Sequence, residues 1–156
     1  MKKIFNIFEF IIIGFVIFAL HKKNNKIEHL EKSVQKYFNM YETVYQWINV
    51  KLDQEKVESF FEDQGFDKVG IYGMGDLGNL FLRDFLKSEK IKIKCGIDRN
   101  AGAIISEIPI FKPESIETEL DVVVVTIVDE FESIKISLSQ HTNAKIISIE
   151  DVLYNL

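Results

Sequence analysis

Residues 68–78 read Lys-Val-Gly-Ile-Tyr-Gly-Met-Gly-Asp-Leu-Gly, and the predicted fold follows from this stretch. Residues 68–72 have the composition of a short buried strand, and residues 73–78 follow with the spacing Gly-x-Gly-x-x-Gly. A helical pattern of apolar residues continues over residues 79–88. Glycines at this spacing between a strand and a helix are the fingerprint of a loop that binds the pyrophosphate of a dinucleotide.

The three glycines of the loop have separate predicted roles. Gly73 allows the tight turn, Gly75 lets the backbone approach a pyrophosphate, and Gly78 lets the helix pack closely on the strand. A phosphate would lie at the amino end of the helix, where backbone N–H groups and the positive end of the dipole converge. We therefore expect the whole loop to bind a cofactor, including the residues between the glycines: Met74, Asp76 and Leu77.

Asp76 gives the same loop a second interpretation. Its carboxylate stands where the helix would receive a phosphate, so it would cap the N–H groups itself and repel a pyrophosphate. Under this interpretation, residues 73–78 form a Gly-rich turn that only builds the fold. The sequence leaves both interpretations open.

Two later strands end in further candidate ligand-binding residues. Asp98 ends the second predicted strand, 91–97, and lies 20 residues after Gly78. An acidic side chain at this place binds the ribose 2′-hydroxyl of adenosine in such folds. Arg99 follows it, so the choice between a 2′-hydroxyl and a 2′-phosphate stays open. Thr126, at the carboxyl end of the fourth strand, would line the same crevice.

Strands and helices alternate through the rest of the chain. The predicted elements are a helix from Asp53 to Gly65, a strand at 108–111, a turn and helix from 112 to about 119, a strand at 121–127, a helix at 130–140, a strand at 145–149 and a terminal helix with the capping box Ser148-x-x-Asp151. This alternation predicts an α/β fold with a five-stranded, parallel, doubly wound sheet in the order 3-2-1-4-5. The domain would occupy residues 53–156.

Residues 68–153 resemble the small Rossmann-type domains of bacterial surface-polysaccharide biosynthesis. The matching pieces are KVGIYGMGDLG, GIDRN, IPIF and DVVVVT. Related domains precede the catalytic part of capsule-type nucleotide-sugar dehydratases and the repeat domain of some sugar acyltransferases. The resemblance implies a Rossmann fold, NAD(P) or a nucleotide-sugar as ligand, and a glycosyltransferase as partner. It also implies that an acidic residue at position 76 is compatible with such domains.

The amino-terminal segment, residues 4–20, predicts a membrane contact within a helix of residues 1–23. Thirteen of its 17 residues are Ile, Leu, Phe or Val, and Glu9 is its only charge. The uninterrupted apolar part is shorter than the ~20 residues of a spanning helix, so a short span and an interfacial helix are both open. Lysines flank both ends and give a slight preference for a cytoplasmic body.

Residues 24–52 predict an amphipathic helical stalk. Apolar residues recur over 27–48 with the 3-4 spacing of heptad a and d positions: Ile27, Leu30, Val34, Tyr37, Tyr41, Val44 and Ile48. Flanking positions in the second half are also apolar, namely Phe38, Met40, Tyr45 and Trp47. Self-association through this helix and burial against its own domain are the two alternatives.

Composition and side-chain chemistry exclude several functions. Residues 27–156 carry 14 basic and 23 acidic residues, a net charge of −9, so nucleic-acid binding is not expected. No tyrosine is followed by lysine four residues later, so the Tyr-x-x-x-Lys pair of short-chain dehydrogenases is missing. The three histidines and the single cysteine, Cys95, suggest no metal or nucleophile site.

Two functional hypotheses follow from these features. The first is a membrane-associated, non-catalytic Rossmann-type module in bacterial surface-polysaccharide biosynthesis, with its globular domain in the cytoplasm, that binds a nucleotide or docks a partner. The alternative is an NAD(P)-dependent oxidoreductase or nucleotide-sugar-modifying enzyme whose catalytic groups come from a partner chain. Asp98 and Thr126 would then line its crevice.

Overall fold

The computed structural model of the protein describes the backbone of residues 2–156 and the side chains of residues 13–156. Its elements are α1 (Lys2–Leu52), α2 (Val57–Gln64), β1 (Lys68–Tyr72), α3 (Asp76–Phe85), β2 (Lys92–Ile97), β3 (Ile110–Phe111), β4 (Val122–Val125), α4 (Phe131–Leu138), β5 (Lys145–Ser148) and α5 (Ile149–Leu153), with a 3-10 turn at Ala101–Ala103. The chain divides into two compact units, residues 1–38 and 39–156, and the boundary falls inside α1.

The first unit consists of the amino-terminal part of α1. Its large apolar side chains between residues 13 and 20 are exposed, with Phe15 at 71% and Phe18 at 66%. Among the residues whose side chains are described, no helix is both long enough and apolar enough to cross a membrane. Residues 4–12 of the predicted membrane segment lie outside that described part.

The second unit contains a five-stranded, all-parallel sheet in the order β3-β2-β1-β4-β5, which confirms the predicted topology. β1 is central and pairs with β2 on one side and β4 on the other. The four valines of β4 are fully buried and alternate between two cores, with Val122 and Val124 in one and Val123 and Val125 in the other. Helices therefore cover both faces of the sheet, as a doubly wound fold requires.

The larger core joins the sheet to α2, α3, α5 and the carboxyl-terminal part of α1. Within the second unit, α1 buries Thr43, Trp47 and Val50. The Trp47 ring packs edge-on against Phe81 at 5.8 Å between centroids, and its Nε1 donates a hydrogen bond to Asp84 Oδ2 at 3.1 Å. Of the flanking residues expected to pack here, Trp47 is buried, whereas Phe38 and Tyr45 are exposed.

Two predicted helix starts shift by a few residues. Asp53 does not begin α2, because its N–H still bonds to Asn49 O in the turn that follows α1, where Gln54 has a positive φ of 61°. Helix α2 begins at Val57 and ends, as predicted, at Gly65, which has the left-handed φ of 70°. Helix α3 begins at Asp76 and not at residue 79, since Gly75 serves as its N-cap.

The helix predicted within residues 112–119 is wrong, whereas the turn predicted before it is present at residues 113–114. This segment contains a turn and otherwise irregular backbone. It must carry the chain from the carboxyl end of β3 to the amino end of β4. Because β2 and β1 lie between these strands, the two are three strand spacings of about 4.8 Å apart. A helix of eight residues is only about 12 Å long, whereas the same residues extended reach about 26 Å. A helix over these eight residues would therefore be too short for the connection.

Candidate functional site

The glycine loop joins β1 to α3 at the carboxyl edge of the sheet. Gly73 has a φ of +91°, and a Cβ there would lie 2.8 Å from Ile127 Cγ1. A Cβ on Gly78 would lie 2.1 Å from the carbonyl oxygen of Gly73, so helix and loop are in backbone contact. These two glycines therefore have the turn and packing roles predicted for them.

Side chains of the protein fix the carbonyl groups of this loop. The buried Thr126 hydroxyl lies 2.7 Å from Gly73 O and 3.1 Å from Tyr72 O, and it donates to these carbonyls. Asn79 Nδ2 donates to Met74 O and Gly75 O, both at 3.0 Å. Thr126 thus lies beside the loop as predicted, but its hydroxyl hydrogen is used in a bond to the loop backbone.

Asp98 also lies beside the loop, at the end of β2. Its Oδ2 accepts a hydrogen bond from Met74 N at 3.0 Å, and its Oδ1 accepts one from Asn100 N at 2.8 Å. Both carboxylate oxygens therefore have backbone partners within the domain. A ribose hydroxyl at this position would share Asp98 with the Met74 amide.

Arg99 follows Asp98 in the sequence, after the end of β2. Its guanidinium is exposed and lies 3.8 Å from Glu130 Oε2. A hydrogen bond with the Tyr72 side chain, followed by the nearby carboxylates, raises the pKa of Arg99 further above its usual range. The cation is therefore permanent, and it stands at the same sheet edge as Asp98.

The outer side of the loop is open. No heavy atom lies within 4 Å of the position that a Cβ on Gly75 would occupy. The first α-type bond of α3 runs from Asn79 N to Gly75 O at 2.9 Å, so residues 76–78 form its amino-terminal turn. The N–H groups of a first turn have no carbonyl four residues earlier in the helix to bond to. Asp76 is exposed beside them.

Sequence reasoning missed two residues that shape this site. Asn79 closes the loop through the two carbonyls named above, and its place in the first turn of a helix was the available signal. Gly96 lies under the loop, where a Cβ would come within 2.6 Å of Met74 Sδ and of Ile110 Cδ1. The Met74 side chain is buried there and does not face the open side of the loop.

The position of the loop in the sheet agrees with a ligand-binding role. In the order β3-β2-β1-β4-β5, the chain first proceeds outward from β1 through β2 to β3 and then returns to β4 on the other side. Ligands of open parallel sheets bind at this reversal, outside the carboxyl ends of the strands. Gly75 and Thr126 follow the two strands that flank the reversal, β1 and β4.

Groups that perform covalent or metal chemistry do not gather at this edge. Among residues 13–156, no group of three or more His, Cys, Asp and Glu side chains is arranged to hold a metal ion. Cys95 is fully buried in β2, and this burial raises the pKa of its thiol to about 11. Its thiolate is therefore not available as a nucleophile near neutral pH.

Comparison of the chain with protein-family models, curated proteins and solved structures finds no match. The fold and loop define the chain as a protein with a Rossmann-like α/β domain.

Proposed function

We propose that this chain is a non-catalytic, membrane-associated Rossmann-type module that binds a nucleotide through residues 73–78, in bacterial surface-polysaccharide biosynthesis. The observation that carries the proposal is the open side of the loop. There, the first-turn N–H groups of α3 and the unobstructed Gly75 lie at the strand-order reversal. An anion needs this combination of backbone donors and free approach.

The surroundings of the loop define the class of ligand. Residues 76–78 offer backbone donors to a phosphate, and Asp98 offers carboxylate oxygens to a ribose hydroxyl next to it. A phosphate linked to a ribose, as in NAD(P) or a nucleotide-sugar, has both groups. Inorganic phosphate would use only the first set and should bind more weakly.

Membrane association and the biosynthetic setting have separate supports. The exposed apolar side chains at residues 13–20 support a membrane contact through residues 4–20. A cytoplasmic globular domain rests on the flanking lysines alone. The setting and a glycosyltransferase partner rest on the resemblance of the sequence alone. Flotation of the full chain with lipid vesicles tests the first, and loss of flotation on replacing residues 4–20 by a polar helix is the expected result.

The experiment for nucleotide binding is thermal unfolding of the full chain in detergent with NAD+, NADH, NADPH and UDP-sugars. Trp47 is the only tryptophan, and its burial against Phe81 makes its fluorescence a reporter of the domain. A ligand at 100 times its dissociation constant stabilises by about 2.7 kcal/mol. We expect such a shift with one ligand class, and flat curves with every ligand would contradict nucleotide binding.

Two variants make the test specific for the loop. Gly75→Val places its Cβ in the open space beside the loop, so the fold should remain while the ligand-induced shift is lost. Asp76→Asn removes a negative charge next to the phosphate position, so the affinity should rise by about tenfold. The same change should cost up to about 1 kcal/mol of stability in the free protein, since Asp76 favours the helix dipole.

A further inference from the structure

The heptad positions of α1 present exposed apolar side chains in both units. In residues 1–38, exposure of the a and d side chains ranges from 43% for Ile27 to 67% for Val34. In residues 39–52, the exposed large apolar side chains are Tyr41 and Ile48 at a positions and Tyr45 and Leu52 at the flanking e positions. We call this series, over residues 27–52, the α1 stripe.

The most deeply buried side chains of α1 in the second unit lie on the opposite side of the helix from the α1 stripe. At 100° per residue, Thr43 and Val50 lie roughly half a turn around the helix from Tyr41. Those two residues and Trp47 are the ones buried against the second unit. Residues 39–52 therefore have one face bound to the domain and the opposite face available.

We propose that the α1 stripe binds the α1 stripe of a second copy of the chain, in a parallel two-stranded coiled coil. This inference is independent of nucleotide binding. The identity of the heptad residues supports two strands: three of the four a positions are β-branched, Ile27, Val34 and Ile48, and the first d position is Leu30. β-branched residues at a with leucine at d favour a parallel dimer.

The charges that flank the α1 stripe specify its orientation. Lys26 occupies a g position and Glu31 the next e position, and both are exposed. In a parallel pair, g of one helix faces the following e of the other, so the two-fold symmetry produces two Lys26–Glu31 pairs. Reversing one helix would remove both pairs. Within each helix, Glu28 and Lys32 pair at 2.7 Å without using these positions.

The area of the α1 stripe is sufficient for a specific dimer. The stripe includes four aromatic side chains, Tyr37, Phe38, Tyr41 and Tyr45, each more than half exposed. Together with the aliphatic members, they expose on the order of 800 Å², the area that one partner contributes to a standard interface.

A groove beside the α1 stripe extends the proposed contact. It has a volume of about 390 Å³, and its lining includes Val44, Trp47 and Ile48 of α1 and Leu80 of α3. Trp47 is a g position, which faces e position 52 of the second helix in a parallel pair. Leu52 also lines this groove and is 73% exposed, so the Leu52 side chains of two paired helices would add apolar contact there.

Cysteine cross-linking of the full chain in bacterial membranes tests the proposal. Leu30→Cys and Val34→Cys place thiols at d and a positions, and Lys32→Cys at an outer f position is the control. The native Cys95 is buried and stays silent. We expect oxidation to link most of the first two variants at twice the 18.1 kDa chain mass, and the control several-fold less. Equal linking at all three positions, or none at positions 30 and 34, would overturn the proposal.

Charge exchange tests whether the two copies pair in parallel. In the Val34→Cys background, Glu31→Lys or Lys26→Glu alone should lower the linked fraction, through about a tenfold weaker dimer. The double exchange should restore it. Failure of the double exchange to restore linking would refute the parallel arrangement that pairs Lys26 with Glu31. Val34→Glu, with cysteine at position 30 as the reporter, should abolish linking, and unchanged linking would place the dimer contact elsewhere.

Discussion

The contact between Gly78 and the loop carbonyl predicts a large effect of a single methyl group. In Gly78→Ala, the new Cβ would lie 2.1 Å from Gly73 O and 3.1 Å from Gly73 C. The first distance is about 1 Å shorter than a van der Waals contact allows, and both atoms belong to the backbone. Helix α3 and the loop must therefore separate, which loosens the packing of Phe81 and Phe85 on the sheet.

The expected cost follows from two opposing terms. Overpacking of this kind costs about 1–3 kcal/mol or more, and a contact of 2.1 Å with backbone belongs at the upper end. The better helix propensity of alanine returns at most about 1 kcal/mol. We expect a net loss of about 2–3 kcal/mol. For a unit of this size, the fall in Tm would be roughly 6–15 °C.

The assay is unfolding of the full chain in detergent by urea and by heat, followed by Trp47 fluorescence. Gly75→Ala is the matched control, because its Cβ enters open space and only the weaker N-cap should cost about 1 kcal/mol or less. Equal stability of the Gly78→Ala variant and the wild type would refute the backbone contact. Equal losses in the two variants would show that a side chain destabilises the loop at either position, whether or not its Cβ meets the backbone.

Three further predictions concern the supports of the loop and core. Thr126→Val should cost about 1–2 kcal/mol in urea unfolding, because the Gly73 carbonyl loses its donor, whereas Thr126→Ser should cost less. Trp47→Phe should cost about 1.5–3 kcal/mol, measured by circular dichroism, since the hydrogen bond to Asp84 is lost. Lys51→Met removes the half-exposed lysine that pairs with the same carboxylate and should cost under about 1 kcal/mol. The Cys95 thiol should resist maleimide at pH 8 until the protein unfolds, because burial raises its pKa from 9.0 to about 11. Because the pKa is higher in the folded protein, its contribution to stability is full below pH 9 and should be lost as the pH rises through 11. Urea titrations of the wild type and of Cys95→Ala at alkaline pH measure this loss.

The fold was predictable because its signals are local. The glycine spacing at 73–78, the four valines of β4 and the capping box at Ser148 each require one backbone geometry, and all three are present. The strand order followed from the alternation and from right-handed crossovers. Only these short-range patterns and one chirality rule were needed.

The errors arose where distant parts of the chain decide local structure. Residues 112–119 have a helical composition, but a helix over them would be too short for the distance between β3 and β4. Gly96 is needed because Met74 and Ile110 converge on it from other elements. The sequence also could not tell which face of α1 the domain would use, since Trp47 and Tyr45 are both aromatic.

The hydrogen bond between Asp98 and the Met74 amide has a consequence for how binding would be observed. A ribose that draws the carboxylate towards itself must lengthen this bond, which joins the end of β2 to the turn after β1. The Met74 amide proton should then exchange faster with solvent while the rest of the sheet exchanges more slowly. A ligand bound only through phosphate would leave that proton protected. A single amide signal would therefore distinguish a whole nucleotide from a simple anion, without knowledge of the base or the sugar.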